Sequence, residues 1–276
     1  MFIKKLPHLL VTLLAAILIG CGSSNPLADE AQNNLKNQDF EAAISSAEQS
    51  IEQYPGDPLG YYYKAVALGE LARSQDDPNE RADYYEQMNQ TFETAKSVAD
   101  TSESVPSEIN NISGVKVALW QTEFQRGVDL ATNDSVKSTV ENPMELSMGH
   151  LKNATDLQPD SASSWNVYAQ IAARNSEFEE AASAKEKYMG MISESKIDTV
   201  DYLHLGNYYY NLDKHDKIVE VFEDGQERYP GSERIASALA DAYGRVGEDK
   251  KAISTLEKLV EQDPENPQYH LVMGTK

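Results

Sequence analysis

The chain has 276 residues, of which 40% are hydrophobic, and its 24 basic and 45 acidic residues give a formal net charge of -21. Nucleic acid and anionic membranes repel a surface of this charge, so nucleic acid is excluded as an expected partner. The 15 glycines and 11 prolines are too few for a disordered or collagen-like chain.

The first residues have the pattern of a secretory signal. Lys4 and Lys5 form a short basic region, and an apolar run follows from Leu9 to Ile19. This run is too short to span a bilayer but matches the apolar core of a signal peptide. We therefore predict a signal peptide over residues 1–20.

The segment Leu18-Ile19-Gly20-Cys21 contains the only cysteine of the chain. It resembles the lipobox of bacterial lipoproteins, and the resemblance implies transfer of diacylglycerol to Cys21 and cleavage after Gly20. Two or three acyl chains hold a protein firmly at a membrane, whereas one holds it only marginally. The alternative is an ordinary cleaved signal with a chance cysteine.

Residues 21–26 are expected to form a short lipidated tether. In enteric bacteria, an Asp directly after the lipidated cysteine favours retention in the inner membrane. Gly22 and Ser23 follow Cys21 here. By that analogy the expected location is the bacterial cell envelope, anchored in the outer membrane and facing the periplasm.

Residues 27–73 are predicted to contain helical hairpins. A first helix is expected over about Leu27–Leu35, and Phe40, Ala43 and Ala47 mark a second one. The segment around Tyr61 then opens another hairpin.

Residues 74–160 are less regular and are predicted to form extended helical hairpins. Long helices are expected over about Asn79–Ala99 and Val115–Leu130, the latter with Leu119, Trp120, Phe124 and Val128 as its apolar stripe. A polar connector over 133–141 precedes a helix from Pro143 to Leu157. No segment shows the alternation of a strand, so the expected fold is all-α.

A repeat of about 34 residues is the strongest pattern in the chain, and a fixed period of this length is typical of stacked helical hairpins. The segments Tyr202–Tyr209 and Ala236–Tyr243 begin one such period apart (236 minus 202), as do Tyr229-Pro230 and Asp263-Pro264. We predict regular units over 161–266, beginning at Ala162, Thr199 and Glu233, and the start of a further, truncated repeat helix over 267–276.

These units resemble the tetratricopeptide repeat family. Large apolar residues fill the gaps between hairpins, a small residue such as Gly206 allows close approach of two helices, and proline ends the second helix. The resemblance implies a right-handed superhelical solenoid of stacked antiparallel helix hairpins, whose first helices line a concave groove.

The resemblance also assigns side chains to that groove. Amides there could pair with the backbone of an extended peptide, and arginines could hold a carboxylate. The alternative is a hydrated surface with no ligand. The residues assigned are Asn166, Gln170 and Arg174 on the first unit, His204, Asn207, Tyr210 and Asn211 on the second, and Arg234, Asp241 and Arg245 on the third.

The sequence contains no pattern that predicts chemistry. It has no HExxH or Cys/His metal spacing, no G-x-S-x-G, no phosphate loop and no dinucleotide fingerprint. We therefore expect no catalytic residue, no metal site and no cofactor.

The function expected is that of a non-catalytic, membrane-anchored scaffold. It would bind a protein or peptide partner in the groove, in envelope assembly or secretion, and the lipid on Cys21 would anchor it in the membrane. One alternative is the non-catalytic part of a longer enzyme. Another is a solute-capture lipoprotein that uses aromatic residues such as Tyr208 and Tyr209, although these are expected to pack between hairpins.

Overall fold

A computed structural model describes residues 25–102 and 104–262, and all regular secondary structure in these ranges is helical. This confirms the predicted all-α class. The signal peptide, Cys21 and the predicted helix over 267–276 lie outside the described residues. Among the helices described, none combines the length and the apolar character that crossing a bilayer requires.

The chain divides into two compact units. Unit 1 comprises the described residues up to Val128 together with Asp156–Gln158. Unit 2 comprises Asp129–Thr155 and the described residues from Pro159 onward.

The first four helices of unit 1 pack in chain order, and the first also contacts the third. Its helices are α1 (Pro26–Lys36), α2 (Phe40–Gln53), α3 (Pro58–Ser74), α4 (Pro78–Ala99), the short α5 (Ser107–Asn110) and most of α6 (Ile112–Thr132).

Side-chain caps define where the first four helices begin. Asn25, Asp39, Asp57 and Asp77 each accept a hydrogen bond from a backbone N–H of the first turn. These bonds satisfy donors that have no partner within the helix. Proline is the first residue of α1, α3 and α4, where its fixed φ and missing N–H suit a helix start.

The buried stripe of α6 differs from the predicted one. Leu119 is buried, but Trp120 and Phe124 are only partly buried and stack on each other with ring centroids 5.5 Å apart. The residue that is fully buried beside Leu119 is Glu123. A charged residue was not expected there, and a partner on α4 makes its burial possible.

That partner is Arg81, whose Nη1 lies 2.7 Å from Oε1 of Glu123. The same oxygen accepts a hydrogen bond of 2.8 Å from the hydroxyl of Tyr85. Burial, and secondarily the Glu123 carboxylate, raise the pKa of Tyr85, so this phenol stays a donor. The network joins α4 to α6 in the part of the chain where the regular repeat pattern is absent.

Unit 2 repeats the hairpin arrangement more regularly. A short helix, α7 (Asp134–Lys137), lies within the predicted polar connector, and α8 (Pro143–Leu157), most of which belongs to unit 2, has the predicted bounds. The helices that follow are α9 (Ala162–Arg174), α10 (Phe178–Met191), α11 (Thr199–Asn211), α12 (His215–Arg228), α13 (Glu233–Arg245) and α14 (Asp249–Gln262).

The period of unit 2 is visible in its helix starts. Helices α11 and α13 begin one repeat period apart, at Thr199 and Glu233, whereas the interval from the start of α9 at Ala162 to the start of α11 is longer. The excess is three residues, which is the length of the 3-10 turn Glu194–Lys196 that precedes α11.

Four hairpins turn through one residue with positive φ. These residues are Gln38, Ser176, Asp213 and Gly247, with φ between 54° and 77°. In each case the N–H of the next residue donates to the carbonyl five positions earlier, which is the Schellman motif. Only Gly247 adopts this conformation without a steric cost from a Cβ.

Close approach of the α11–α12 hairpin depends on Gly206. A Cβ at this position would lie 2.2 Å from Cζ of the buried Phe222 ring. Real side chains do not approach so closely, so either the ring or the helix would have to move.

We predict that Gly206→Ala lowers the stability of the protein. Overpacking a core costs about 1–3 kcal/mol, which exceeds the gain of about 1 kcal/mol from replacing a helical glycine. Gly190→Ala is the matched control, because Gly190 lies in α10 with open space around its Cα. Urea unfolding followed by circular dichroism should show a lower midpoint for the first variant and an equal or higher one for the second. A higher midpoint for Gly206→Ala would contradict the role of this contact.

Candidate functional site

The first helices of three hairpins carry the residues assigned to the groove, and we call this set the groove face. Helices α11 and α13 contact each other directly. Seven of its residues are exposed, and three are partly buried. The exposed ones are Arg174, Asn207, Tyr210, Asn211, Arg234, Asp241 and Arg245, and the partly buried ones are Asn166, Gln170 and His204.

A buried lysine lies behind the groove face. The Nζ of Lys185, on α10, donates hydrogen bonds to Oδ1 of Asp201 on α11 at 2.6 Å and to Oδ1 of Asn166 on α9 at 2.9 Å. Its ammonium also lies 4.6 Å from the ring centroid of Tyr188. Asn166 is therefore engaged within the fold through its amide oxygen.

Asp201 serves the start of α11 as well as the ion pair. Its Oδ2 accepts a hydrogen bond from the backbone N–H of Asp198, while Oδ1 of Asp198 accepts from the N–H of Asp201. This reciprocal arrangement is a capping box. The N-terminus of α11 and the position of Lys185 are thus fixed by the same carboxylate.

His204 lies near this ion pair, on α11. Its ring is nearly parallel to that of Tyr208, with centroids 6.3 Å apart. Burial lowers the pKa of His204, and the nearby cations of Lys185 and, to a smaller extent, Arg234 act in the same direction, whereas Asp201 opposes them. The imidazole is therefore held towards its neutral form, which can donate at one nitrogen and accept at the other.

Arg245 and Tyr210 form a contact across the hairpins. The Nη2 of Arg245 donates to the hydroxyl of Tyr210 at 2.9 Å, and its guanidinium lies 4.4 Å from the centroid of the same ring. Its Nε also donates to Oδ2 of Asp241 at 2.7 Å. Of the two arginines on α13, this one already holds a carboxylate of its own chain.

Arg174 and Arg234 differ from Arg245, because neither forms an ion pair within 4.0 Å among residues 25–102 and 104–262. The positive charge of Arg174 acts on Tyr208 and opposes the rise in its pKa that burial causes. The positive charge of Arg234, on α13, likewise contributes to the lowered pKa of His204.

The remaining tyrosines are divided between core and surface. Tyr208 and Tyr209 are buried, as packing between hairpins requires, whereas Tyr210 is 44% exposed. The side chain of Asn211 donates to the carbonyl of Asn207 one turn earlier. The carboxamide of Asn207 itself is exposed on the same helix.

Sequence reasoning missed Lys185 and Asp201. The residues lie 16 positions apart on neighbouring helices, and helical lysines are usually solvent-exposed. The available signal was Asp201 three residues after Asp198, which is the spacing of a capping box. Within the part of the chain that the structure describes, no group of three His, Cys, Asp or Glu side chains could hold a metal ion.

Two segments of the chain match sequence models of the tetratricopeptide repeat, over residues 149–188 and 212–274. These matches confirm the resemblance to tetratricopeptide repeats. No curated protein sequence matches the chain.

Solved structures resemble the chain only distantly. A crystal structure of MamA is 14% identical, with 87% of this chain and 97% of that one covered and a TM-score of 0.39. PilW, described as a widely conserved type IV pilus biogenesis factor, is also 14% identical, with 92% of this chain and 100% of that one covered and a TM-score of 0.42. The structure of pilF of Pseudomonas aeruginosa is 11% identical, with 91% of this chain and 96% of that one covered and a TM-score of 0.38. At these scores the likenesses carry no argument about function.

We predict that Lys185→Met strongly destabilises unit 2. Removing one member of a buried ion pair leaves the other charge unpaired, which costs about 3–5 kcal/mol. Lys217→Met is the control, because its pair with Glu220 is exposed and its loss should leave the unfolding midpoint unchanged. Similar midpoints for the two variants in chemical unfolding would show that Lys185 contributes no more than a surface lysine.

We also predict a pH dependence that originates at His204. The pKa of His204 in the folded state is depressed below the unfolded value of about 6.5. The contribution of His204 to stability is therefore fully present above that pH and is lost as the pH falls through the folded pKa. The unfolding midpoint of the parent should therefore fall more steeply between about pH 7 and about pH 5 than that of His204→Gln. The carboxylates titrate in both proteins, so parallel curves would exclude His204 as the source.

Proposed function

From the tetratricopeptide repeats that the chain contains, we propose that it is a non-catalytic interaction scaffold that binds a protein or peptide partner on the groove face. Repeats of this kind generally act as protein-binding scaffolds. The observation that supports the site is the exposed polar surface of α9, α11 and α13. Beneath α9 and α11, Lys185 of α10 donates hydrogen bonds to Asn166 and Asp201 and so joins these two helices.

The chemistry of the groove face suits an extended peptide. The exposed carboxamide of Asn207 and the partly buried one of Gln170 can each donate to and accept from a peptide backbone. Arg174 and Arg234 add two positive charges on a chain whose net charge is -21. They would favour carboxylates of a partner over cations.

Two ion pairs with buried members support a structural role. Glu123 is paired with Arg81, and Lys185 is paired with Asp201. Paired groups of this kind hold helices together, whereas a catalytic group needs an access route and a proton partner at the substrate. We infer that the chain contributes binding without a reaction of its own.

We further propose that the scaffold is held at the membrane by a lipid on Cys21, in the cell envelope and with the outer membrane as its site. The support is the sequence alone: the basic and apolar signal residues, the lipobox-like segment ending at Cys21, and the Gly22-Ser23 that follows it. A role in envelope assembly or secretion would fit such a location.

The binding proposal is tested by crosslinking from intact envelopes, followed by mass spectrometry. Asn207→Ala combined with Arg234→Ala should reduce capture of a groove partner at least about tenfold, since the loss of about 1.4 kcal/mol from the two contacts together has this effect. The control combines Lys217→Ala with Glu220→Ala on the exposed side of α12 and should retain the partner. If both double variants capture the same proteins as the parent, the groove face is not the binding site.

The anchoring proposal is tested with Cys21→Ser. Because the thiol carries the lipid, this variant should remain an unlipidated, uncleaved precursor, seen as a higher protein mass and an absence of acyl chains. Ser23→Ala is the control and should mature normally. Normal processing of Cys21→Ser would refute the anchor.

A further inference from the structure

The start of α1 is fixed to the turn between α2 and α3. Asn25 is only 1% exposed, and its Oδ1 accepts the N–H of Ala28 as the helix cap. Its Nδ2 donates to Oγ of the buried Ser50 at 2.8 Å and to Oδ2 of Asp57 at 2.9 Å. The chain therefore enters unit 1 at one defined place.

Asn25 is close in sequence to Cys21, the residue proposed to carry the lipid. Cys21 precedes Asn25 by four residues, and four fully extended residues span at most about 14 Å. A lipidated Cys21 lies at the level of the headgroups, because its acyl chains are in the hydrocarbon. The elements bonded to Asn25 are then held within a short distance of the membrane surface.

The turn bonded to Asn25 presents a residue suited to that surface. In the α2–α3 turn, Tyr54–Asp57, Tyr54 is 37% exposed, and among the described residues it is one of six large hydrophobic residues that are exposed. Pro55 and Gly56 beside it are exposed and uncharged. Tyrosine favours the membrane interface because its ring is apolar and its hydroxyl is polar.

The same sequence in another hairpin has a different environment. Tyr229-Pro230-Gly231 follows α12 as Tyr54-Pro55-Gly56 follows α2. Tyr229, however, packs edge-on against Tyr202 with centroids 6.3 Å apart, and its hydroxyl donates to the carbonyl of Ile197. The turn motif therefore does not itself require an exposed tyrosine.

We propose that the α2–α3 turn docks on the lipid surface, with Tyr54 among the headgroups. This proposal rests on the proposed lipidation of Cys21. Docking at a second point, together with the short tether, would hold unit 1 in one orientation instead of letting it rotate about the lipid. The exposed Glu52 at the end of α2 favours a zwitterionic surface over an anionic one.

The test uses nitroxide labels on Gly56→Cys and Gly231→Cys in the full-length lipoprotein. A Cβ at either glycine meets no atom within 4 Å, so both turns should accept the label. Circular dichroism would check that helical content is unchanged. In phosphatidylcholine vesicles, collisions with a water-soluble nickel chelate should be several-fold fewer at position 56 than at position 231. Adding Tyr54→Ser to Gly56→Cys should raise those collisions towards the value at position 231.

The mass of the mature protein separates the two possible failures. Acylated Cys21 with equal nickel accessibility at positions 56 and 231 would overturn the docking and leave the anchor intact. An unacylated Cys21 would overturn both proposals. Acylated Cys21 with shielding at position 56 that Tyr54→Ser abolishes is the result that supports docking.

Discussion

The buried ammonium of Lys185 is the constraint on which the groove face depends. A charge without partners at this position would cost several kcal/mol, so the fold must place acceptors around it. Those acceptors come from α9 and α11, through Asn166 and Asp201. Sliding α11 by one turn would remove the carboxylate, and sliding α9 would remove the amide oxygen. The ammonium therefore favours one register of two helices that carry groove-face residues.

The helices themselves could be predicted because their signals are local. Apolar spacing and prolines at the helix starts placed α4 and α8 within one residue of their observed beginnings. Burial of charge could not be predicted in this way, because it depends on residues distant in sequence. Glu123 occupies the buried face of α6 only because Arg81 and Tyr85 of α4 meet it there. The groove-face assignments remain predictions.

Different residues adopt the same turn conformation in different hairpins, because contacts outside the residue determine it. Asp213 and Gly247 occupy the same left-handed position in consecutive repeats. The Schellman bonds are present in both, so the turn persists although a Cβ disfavours it at Asp213. Backbone hydrogen bonding and packing of the hairpin therefore determine the turn, and the residue type only adjusts its energy.

Some groove-face side chains also hold the fold together. Asn166 holds Lys185, and Arg245 joins Asp241 to Tyr210, so replacing either changes the scaffold as well as its surface. Asn207 is exposed, and Arg234 has no ion pair in the described ranges. Replacing these two side chains removes none of the hydrogen bonds of Lys185, so a loss of binding there can be attributed to the removed contacts.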